Sequence, residues 1–427
     1  MIATAMTILL VLIGLSIPVG AALGVLGLTL DPMFSELPLT RALGEISWNS
    51  NNEFLLVAIP LFILLGEVLL RAGLAEKMYQ SMSLWLSWLP GGLMHANIGA
   101  STLFSATSGS SVATSATVGT VAIPQIKKHG YKESLFLGSL AAGGTLGILI
   151  PPSINLVLYG VLTNSSVPKL YLAGIIPGFM LAGLFILTII IACVLKPQWG
   201  GKKIHANWGE RFRSLVNLLP PLGIFFLVVG SIYAGLATPT EAAALGVFGA
   251  LVLAAFYRRL SLNMLREAVE GTMKSTAMIM LIVIAAAFLN FVMSATGLTN
   301  AITDFIGGLG LSAGWMLLVL VIFYLVLGCF METLSMMITT IPIVAPVMIG
   351  LGYDPVWLGI MIIILVEAAL ITPPVGMNLF VVQSLRKSGS MNDVIVGSLP
   401  FVAAMFVMLL LLALFPAIAM WMPTTFG

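Results

Sequence analysis

Between Ser101 and Thr120, eleven of twenty residues are serine or threonine, and the centre reads Thr107-Ser108-Gly109-Ser110-Ser111. Two further runs hold consecutive prolines: Gly143 to Asn155 around Pro151-Pro152, and Glu367 to Asn378 around Pro373-Pro374. Proline removes a backbone donor and pushes the preceding residue out of helix, so each pair leaves carbonyls unpaired. Free carbonyls with Ser, Thr and Asn oxygens make a site for a hard cation such as Na⁺, while exposed N–H groups at a half-helix N-terminus suit an anion. The chemistry on offer is coordination. There is no acid–base pair, no G-x-S-x-G, no H-E-x-x-H, no Cys/His cluster and no P-loop, since Gly271-Thr272-Met273-Lys274-Ser275-Thr276 lacks the second glycine. Enzymatic, ATP-driven and metal-cofactor functions are therefore not expected, and an ion gradient remains as driver.

The elements that would hold these residues are written twice. Gly20-Ala21-Ala22-Leu23-Gly24-Val25-Leu26-Gly27 recurs as Ala242-Ala243-Ala244-Leu245-Gly246-Val247-Phe248-Gly249. Pro124, Gly130 and Tyr131 recur as Pro346, Gly352 and Tyr353, and Pro151-Pro152 as Pro373-Pro374, always 222 residues on (24 to 246, 124 to 346, 151 to 373). Duplicated halves with matching helix breaks are the outline of a secondary transporter. The same shift places a second break at Gly328–Ser335, opposite the hydroxyl-rich segment, which reads as a re-entrant hairpin with its tip at Gly109.

Charge gives the relative orientation of the copies. Basic residues cluster at Lys127, Lys128 and Lys132; at Lys196, Lys202, Lys203, Arg211 and Arg213; at Arg258, Arg259, Arg266 and Lys274; and at Arg386 with Lys387. The gaps that match 127–132, 258–274 and 386–387 in the other half are poor in Lys and Arg. By the positive-inside rule the two copies are inverted, with the segment Leu218–Tyr233 as the odd helix between them and the chain starting inside and ending outside.

Composition sets the class. Of 427 residues, 59% are hydrophobic and 8% charged, with a mean hydropathy of +1.12, against about a quarter charged in soluble domains. Spanning helices are expected over Ile8–Leu30, Phe54–Leu70, Leu170–Leu195, Leu218–Tyr233, Met278–Met293, Trp315–Phe330 and Phe401–Trp421. These runs do not alternate, which excludes a barrel. The first segment lacks a basic leader and a small-residue cleavage site and reads as a retained helix. Cys193 and Cys329 lie in apolar runs without CxxC spacing, and His95, His129 and His205 stand alone near loops, so neither a disulfide nor a metal centre is expected.

Carboxylates inside such a chain are costly and single themselves out. Glu332 falls at the second hairpin tip and Glu367 just before the second Pro-Pro, which favours a functional role. Glu67 lies four residues before Arg71, the spacing of an interfacial ion pair. Thr238-Pro239-Thr240-Glu241 reads as a capping box with proline at the first helical position. Trp85 and Trp88, in the amphipathic stretch Glu76–Leu89, read as belt aromatics on an interfacial arm. The methionines are filler.

Taken together, Ser108-Gly109-Ser110-Ser111-Val112-Ala113, Ile150-Pro151-Pro152-Ser153, Ala237-Thr238-Pro239-Thr240-Glu241-Ala242 and Thr372-Pro373-Pro374-Val375-Gly376-Met377-Asn378 closely resemble the large membrane subunit of TRAP transporters, the tripartite ATP-independent periplasmic uptake systems. The resemblance runs over essentially the whole chain. It implies an all-α polytopic fold of the ion-transporter-superfamily elevator type, with two inverted repeats, each holding a re-entrant hairpin and a Pro-Pro-broken helix. It also implies a separate small subunit of about four helices, a soluble periplasmic binding protein that delivers a carboxylate such as a C4-dicarboxylate or sialic acid, coupling to Na⁺, no other cofactor, and residence in the bacterial inner membrane. Since the sequence opens at the first large-subunit helix, the small subunit is expected as its own polypeptide.

Carried onto these positions, the resemblance implies one Na⁺ site among Ser108, Gly109, Ser110, Gly143, Thr145, Gly147 and Pro151. A second would involve Gly328, Met331, Glu332, Thr333, Thr372, Pro374 and Gly376. Substrate would lie between the tips, at Ser108, Ser110, Ser111, Asn155, Glu332, Thr333, Ser335 and Asn378. The first tip here is wholly small and hydroxylic, where the family often carries acidic or amide residues. The implied partition is scaffold over 1–75, arm 76–93, transport domain 94–165, scaffold helix and loop 166–213, linking helix and scaffold 214–274, scaffold and arm 275–314, transport domain 315–390, and C-terminal scaffold 391–427. The competing readings are a self-sufficient Na⁺- or H⁺-coupled carboxylate carrier and an anion channel lined by the hydroxyl-rich hairpin.

Overall fold

The computed structural model describes the chain except Ser16, residues 203–206, Leu309, Leu311, 329–330, Val375, Lys387 and Gly427, and the side chains of 106–107, Asn300, Thr303 and 305–307. Lys203, His205, Cys329 and Lys387, named above, thus lie outside the described residues. Among those described there is no strand. The first half contains α1 (Ile2–Gly14), α2 (Val19–Phe34), α3 (Leu43–Asn51), α4 (Ala58–Arg71), α5 (Leu74–Leu86), α6 (Leu93–Ser108), α7 (Ser111–His129), α8 (Glu133–Thr145), α9 (Ile154–Thr163) and α10 (Val167–Leu195). After α11 (Trp208–Leu215), the second half contains α12 (Leu219–Tyr233), α13 (Pro239–Phe256), α14 (Leu262–Ala295), α15 (Leu298–Gly308) and α16 (Ala313–Leu327). It ends with α17 (Thr333–Gly350), α18 (Pro355–Ile371), α19 (Met377–Ser384), α20 (Met391–Leu414) and α21 (Ala417–Phe426). Seven helical segments among the described residues are long and apolar enough to cross a bilayer. The chain is a multi-pass membrane protein.

The 222-residue period survives as structure. Shifted by that amount, α6 to α10 fall on α16 to α20, each within a few residues of its counterpart at the start. The helices start where the sequence offers caps. Ser110 and Ser153 cap α7 and α9 through their hydroxyls, and Asp354 takes the N–H groups of Val356 and Trp357 at the head of α18. The box at Thr238 and Glu241 forms as expected, with Pro239 at the first position of α13.

Each hairpin is closed at its open end by a tyrosine at the same register. Tyr131, two residues beyond α7, accepts the Leu93 N–H at the start of α6, 2.9 Å away. Tyr353, beyond α17, donates to the Ala313 carbonyl at the start of α16, 2.9 Å away. Entry and exit of each hairpin are thereby held side by side. The repeats are also exchanged: α9 packs on α17 and α19 on α7, while α2 packs on α14 and α13 on α4. Tyr159 on α9 donates to the Pro355 carbonyl at the head of α18, 2.7 Å away, and Asn378 on α19 donates to Ala141 of α8, 3.4 Å away.

Three expected spans differ. Ile8–Leu30 is two helices, because Pro18 ends α1's register and begins α2. Phe401–Trp421 begins earlier, at Met391, and breaks at Phe415-Pro416. Met278–Met293 is the second half of the 34-residue α14, whose first turns are built from the basic segment taken as a gap. Charged pairs at i, i+4, such as Arg266 with Glu270 at 2.7 Å, let that segment stay helical beyond the apolar region. Arg386, grouped above with loop charges, is instead buried, bonding Glu133 at 2.8 Å and Asp393 at 3.2 Å. Glu67 pairs with Arg71 as the spacing predicts, and Arg71 also reaches Glu267 at 3.5 Å.

Candidate functional site

The first hairpin tip and the first broken helix meet through glycine. The α6 helix stops because Gly109 adopts a left-handed conformation, φ 61°, which a side chain would strain. A methyl group on Gly109 would lie 3.3 Å from the Pro152 carbonyl oxygen. One on Gly147 would lie 2.7 Å from the Ser110 carbonyl and 2.9 Å from the Ser111 nitrogen. One on Gly143 would touch Ser101 Oγ at 2.8 Å, and one on Gly144 would overlap Ser115 Oγ. Three of these four glycines sit on the broken segment so that tip backbone and break backbone can lie in contact. Gly109, Ser110 and Ser111 of the tip thus lie against Gly144, Gly147 and Pro152 of the break, while Gly143 meets α6 further back at Ser101; Thr145 is buried, and no contact of Pro151 with the tip is seen.

The oxygens there are those a cation would use. Ser108 Oγ lies 2.9 Å from Thr114 Oγ1, and Thr145 Oγ1 donates to the Ala142 carbonyl, leaving its lone pairs unspent. Ser101 Oγ, Ser115 Oγ and Asn97 Oδ1 are buried without a hydrogen-bond partner. Buried polar atoms are almost always satisfied, so this cluster of orphans asks for an explanation. Sequence reading counted Ser101 and Ser115 among the hydroxyls but not as site members; their spacing from Ser105, Ser108 and Ser111 along two helices was the available signal.

At the second break the contact is made from the other side. Gly147's counterpart in register is Ala369, and here Gly328 gives way: a methyl on Gly328 would lie 2.2 Å from Ala369 Cβ. Met331, Thr333 and Ser335 are buried at this tip. Glu332 caps α17, its carboxylate accepting from the Ser335 N–H at 3.0 Å and hydroxyl at 3.1 Å. Thr372 donates to the Ala368 carbonyl at 2.6 Å, and a methyl on Gly376 would meet the Leu370 carbonyl at 2.7 Å. Pro374 follows Thr372 in the turn that links α18 to α19.

The two asparagines after the prolines cross between the repeats. Asn155 Nδ2 reaches Met337 Sδ on α17 at 3.3 Å. Asn378 binds α8 as described, and its Oδ1 is buried without a partner. Glu367 is the most exceptional residue. It is 0% exposed, its carboxyl oxygens have no side-chain partner, and its one polar neighbour is the Ile148 backbone in the 146–148 turn of the first repeat, which packs on its helix. Asp31, the other buried carboxylate among the described residues, accepts N–H groups from Leu39 and Thr40, each at 3.1 Å. A cavity of about 360 Å³ between α1, α2, α14, α16 and α17 is walled almost wholly by apolar side chains. It offers an anionic substrate nothing to bind.

The chain matches, over residues 6–418, the model of the family described as "Tripartite ATP-independent periplasmic transporter, DctM component". The chain belongs to the DctM family. It is 32% identical over 429 residues to the C4-dicarboxylate TRAP transporter large permease protein DctM of Vibrio cholerae, covering 96% of this chain and 94% of that one. It is 32% identical to the sialic acid TRAP transporter large permease protein SiaM of the same species, covering 88% and 87%. It is 30% identical to the ectoine TRAP transporter large permease protein TeaC of Halomonas elongata, covering 99% and 98%. Among solved structures, the Alcanivorax borkumensis YdaH transporter superposes with a TM-score of 0.55 at 16% identity, covering 86% of this chain and 88% of that one, which is a likeness of fold. As a DctM-family permease the chain is a transport protein and not an enzyme. The family name, tripartite and periplasmic, sets it beside two other components.

Proposed function

We propose that this DctM-family permease imports an organic acid across the bacterial inner membrane, driven by Na⁺, with a small membrane subunit and a periplasmic binding protein as partners. The observation that carries the reading is the glycine-mediated contact of Ser108–Ser111 with Gly143–Pro152, which brings unpaired hydroxyls and break carbonyls together without a charged side chain. Neutral oxygens in that arrangement suit Na⁺. The second tip and break, from Gly328 to Thr333 and Thr372 to Asn378, would form the other ion site. Substrate would sit where Asn155 crosses to α17. The names of the relatives cover C4-dicarboxylate, sialic acid and ectoine, and the isethionate permease DctMQ of Oleidesulfovibrio alaskensis is 32% identical. Their common feature is an acid group.

On this reading the repeats are inverted and the hairpins with their broken helices move as one body against α2, α4, α13 and α14. We place α10 and α20 with the moving body, although residues 166–213 and 391–427 stand in the scaffold of the sequence-level partition. The reason is that α20 crosses α8 with backbones touching: a methyl on Gly138 would lie 1.9 Å from the Gly397 carbonyl. Helices locked at that distance do not slide. The α10 helix packs on α20 in turn.

Uptake by the complete system in sealed vesicles tests the proposal. Accumulation is expected only with the binding protein present and an inward Na⁺ gradient. Uptake by the two membrane subunits alone would favour a self-sufficient carrier. Flux that neither saturates nor needs a gradient would favour a channel.

A further inference from the structure

The one strongly amphipathic surface that neither ion nor substrate handling uses is built around α11. This eight-residue helix and α12, joined through three turn residues, 216–218, make up the candidate span Trp208–Tyr233, of which α11 is the charged end, and charged ends of spans lie at the bilayer boundary. Its first turn is fixed by a capping box between Asn207 and Glu210. It is fastened to α5 by three contacts. Trp85 Nε1 donates to the Arg211 carbonyl at 3.0 Å, Ser81 Oγ donates to the Ser214 carbonyl at 2.9 Å, and the Trp85 and Phe212 rings meet edge to face at 5.8 Å.

What that anchoring leaves outward is both aromatic and basic. Trp208, Phe212 and Val216 are all about three-fifths exposed, and Trp88 at the end of α5 equally so. Cations lie among them. The Arg211 guanidinium stacks over the Trp208 ring at 5.0 Å, and Arg213 is exposed. On the turn between α13 and α14, Arg258 and Arg259 are exposed, and Arg258 is held at φ 54°. Tyr257 joins this turn to α5, since Lys77 Nζ lies 3.6 Å over its ring.

Among the described residues, Lys77, Arg211, Arg213, Arg258 and Arg259 enter no ion pair, whereas Arg71, Arg266 and Arg386 do. Of the local carboxylates, Glu210 is occupied by its cap and Glu76 accepts from Gln80. Cations without an ion pair on α5, α11 and the α13–α14 turn, with exposed indole and phenyl rings on α11 and just beyond α5, match one ligand chemistry, a phosphate monoanion joined to an apolar tail. A soluble protein partner would not call for aromatics facing the hydrocarbon boundary.

We propose that α11, α5 and the α13–α14 turn form a binding site for the headgroup of an anionic phospholipid. The aromatic rings enter the acyl boundary and the cations hold the phosphate. The site is independent of which substrate or ion the protein carries.

The test is native mass spectrometry of the intact protein in detergent. The probes are phosphatidylglycerol, phosphatidylcholine as the zwitterionic comparison, and glycerol phosphate as the soluble one. Phosphatidylglycerol is expected to be retained and the other two are not. The variant Arg211→Gln/Arg258→Gln/Arg259→Gln is expected to lose retention, each removed cation lowering occupancy about fivefold. Lys127→Gln/Lys128→Gln, a basic pair elsewhere, is expected to bind as the native protein does. The exposed single changes Arg258→Gln and Arg259→Gln decide the matter should the triple variant fail to fold. Retention that survives loss of these arginines, equal retention of phosphatidylcholine, or equal binding of glycerol phosphate would each overturn the proposal.

Discussion

Ser110 and Glu332, 222 residues apart, perform one task with different chemistry: each caps the outgoing helix of its hairpin by accepting the N–H three residues on. For Ser110 the donor is Ala113 at 3.4 Å, and for Glu332 it is Ser335 at 3.0 Å. The backbone needs an acceptor there in both halves. Only the second half supplies it from an acidic side chain, and that difference separates folding from function.

Glu332→Ser is expected to keep the cap and hold stability within about 0.5 kcal/mol of native, while Glu332→Ala loses about 1 kcal/mol. Uptake is expected to fall in both, by about tenfold or more, equivalent to about 1.4 kcal/mol at the rate-limiting step. Thermal unfolding and vesicle uptake, measured on the same preparations, check this. Native uptake by Glu332→Ser would reduce the residue to a cap.

Glu367→Leu is expected to stabilise the protein and abolish uptake. Replacing a buried carboxyl that has no side-chain partner with an apolar side chain of similar volume removes its desolvation cost, a gain of about 1–3 kcal/mol. A higher melting temperature together with lost transport would mark the carboxylate as kept for function. A higher melting temperature with native uptake would show it to be dispensable.

Gly147→Ala is expected to impair uptake by forcing the Ser110 carbonyl away from the broken helix, at a packing cost of about 1–3 kcal/mol. Gly183→Ala, in α10 with no heavy atom within 4 Å of the new methyl, serves as comparison. There a gain of up to about 1 kcal/mol in helix propensity is expected, with unchanged uptake. Equal behaviour of the two variants would remove the contact from the mechanism.

Arg386→Gln is expected to lower stability by about 1–3 kcal/mol, less than for a wholly buried pair because Glu133 and Asp393 remain half exposed. Glu133→Gln alone is expected to cost less, since Asp393 still holds the arginine. Denaturation of the three proteins side by side gives the order.

Lys128→Cys and Gly350→Cys, each at the far end of a hairpin, are expected to react with an impermeant thiol reagent from opposite sides of the membrane. Cys193 is buried and adds little background. Labelling of both from one side would end the inverted arrangement and the alternating mechanism that depends on it.

Much of this molecule was already legible one residue at a time. Glycine, proline and capping side chains act on their own backbone, so the Gly109 turn, the Thr238–Glu241 box, the breaks at both Pro-Pro pairs and the 222-residue period could be read without neighbours. Where an expectation went astray, the competing effect was also local but unweighed: Pro18 and Pro416 cut apolar runs that hydropathy alone joins.

Tertiary structure decided what distance along the chain conceals. Nothing in the spacing of Gly138 and Gly397 announces that they touch and pack α20 on α8. Nor does the sequence say that Arg386 is buried between two carboxylates, that Ser101 and Ser115 face Gly143 and Gly144, or that Glu367 is wholly buried with no side-chain partner while Asp31 takes two backbone N–H groups. Burial and hydrogen-bond satisfaction belong to the packed assembly of helices, because they depend on which surfaces exclude water and lipid together.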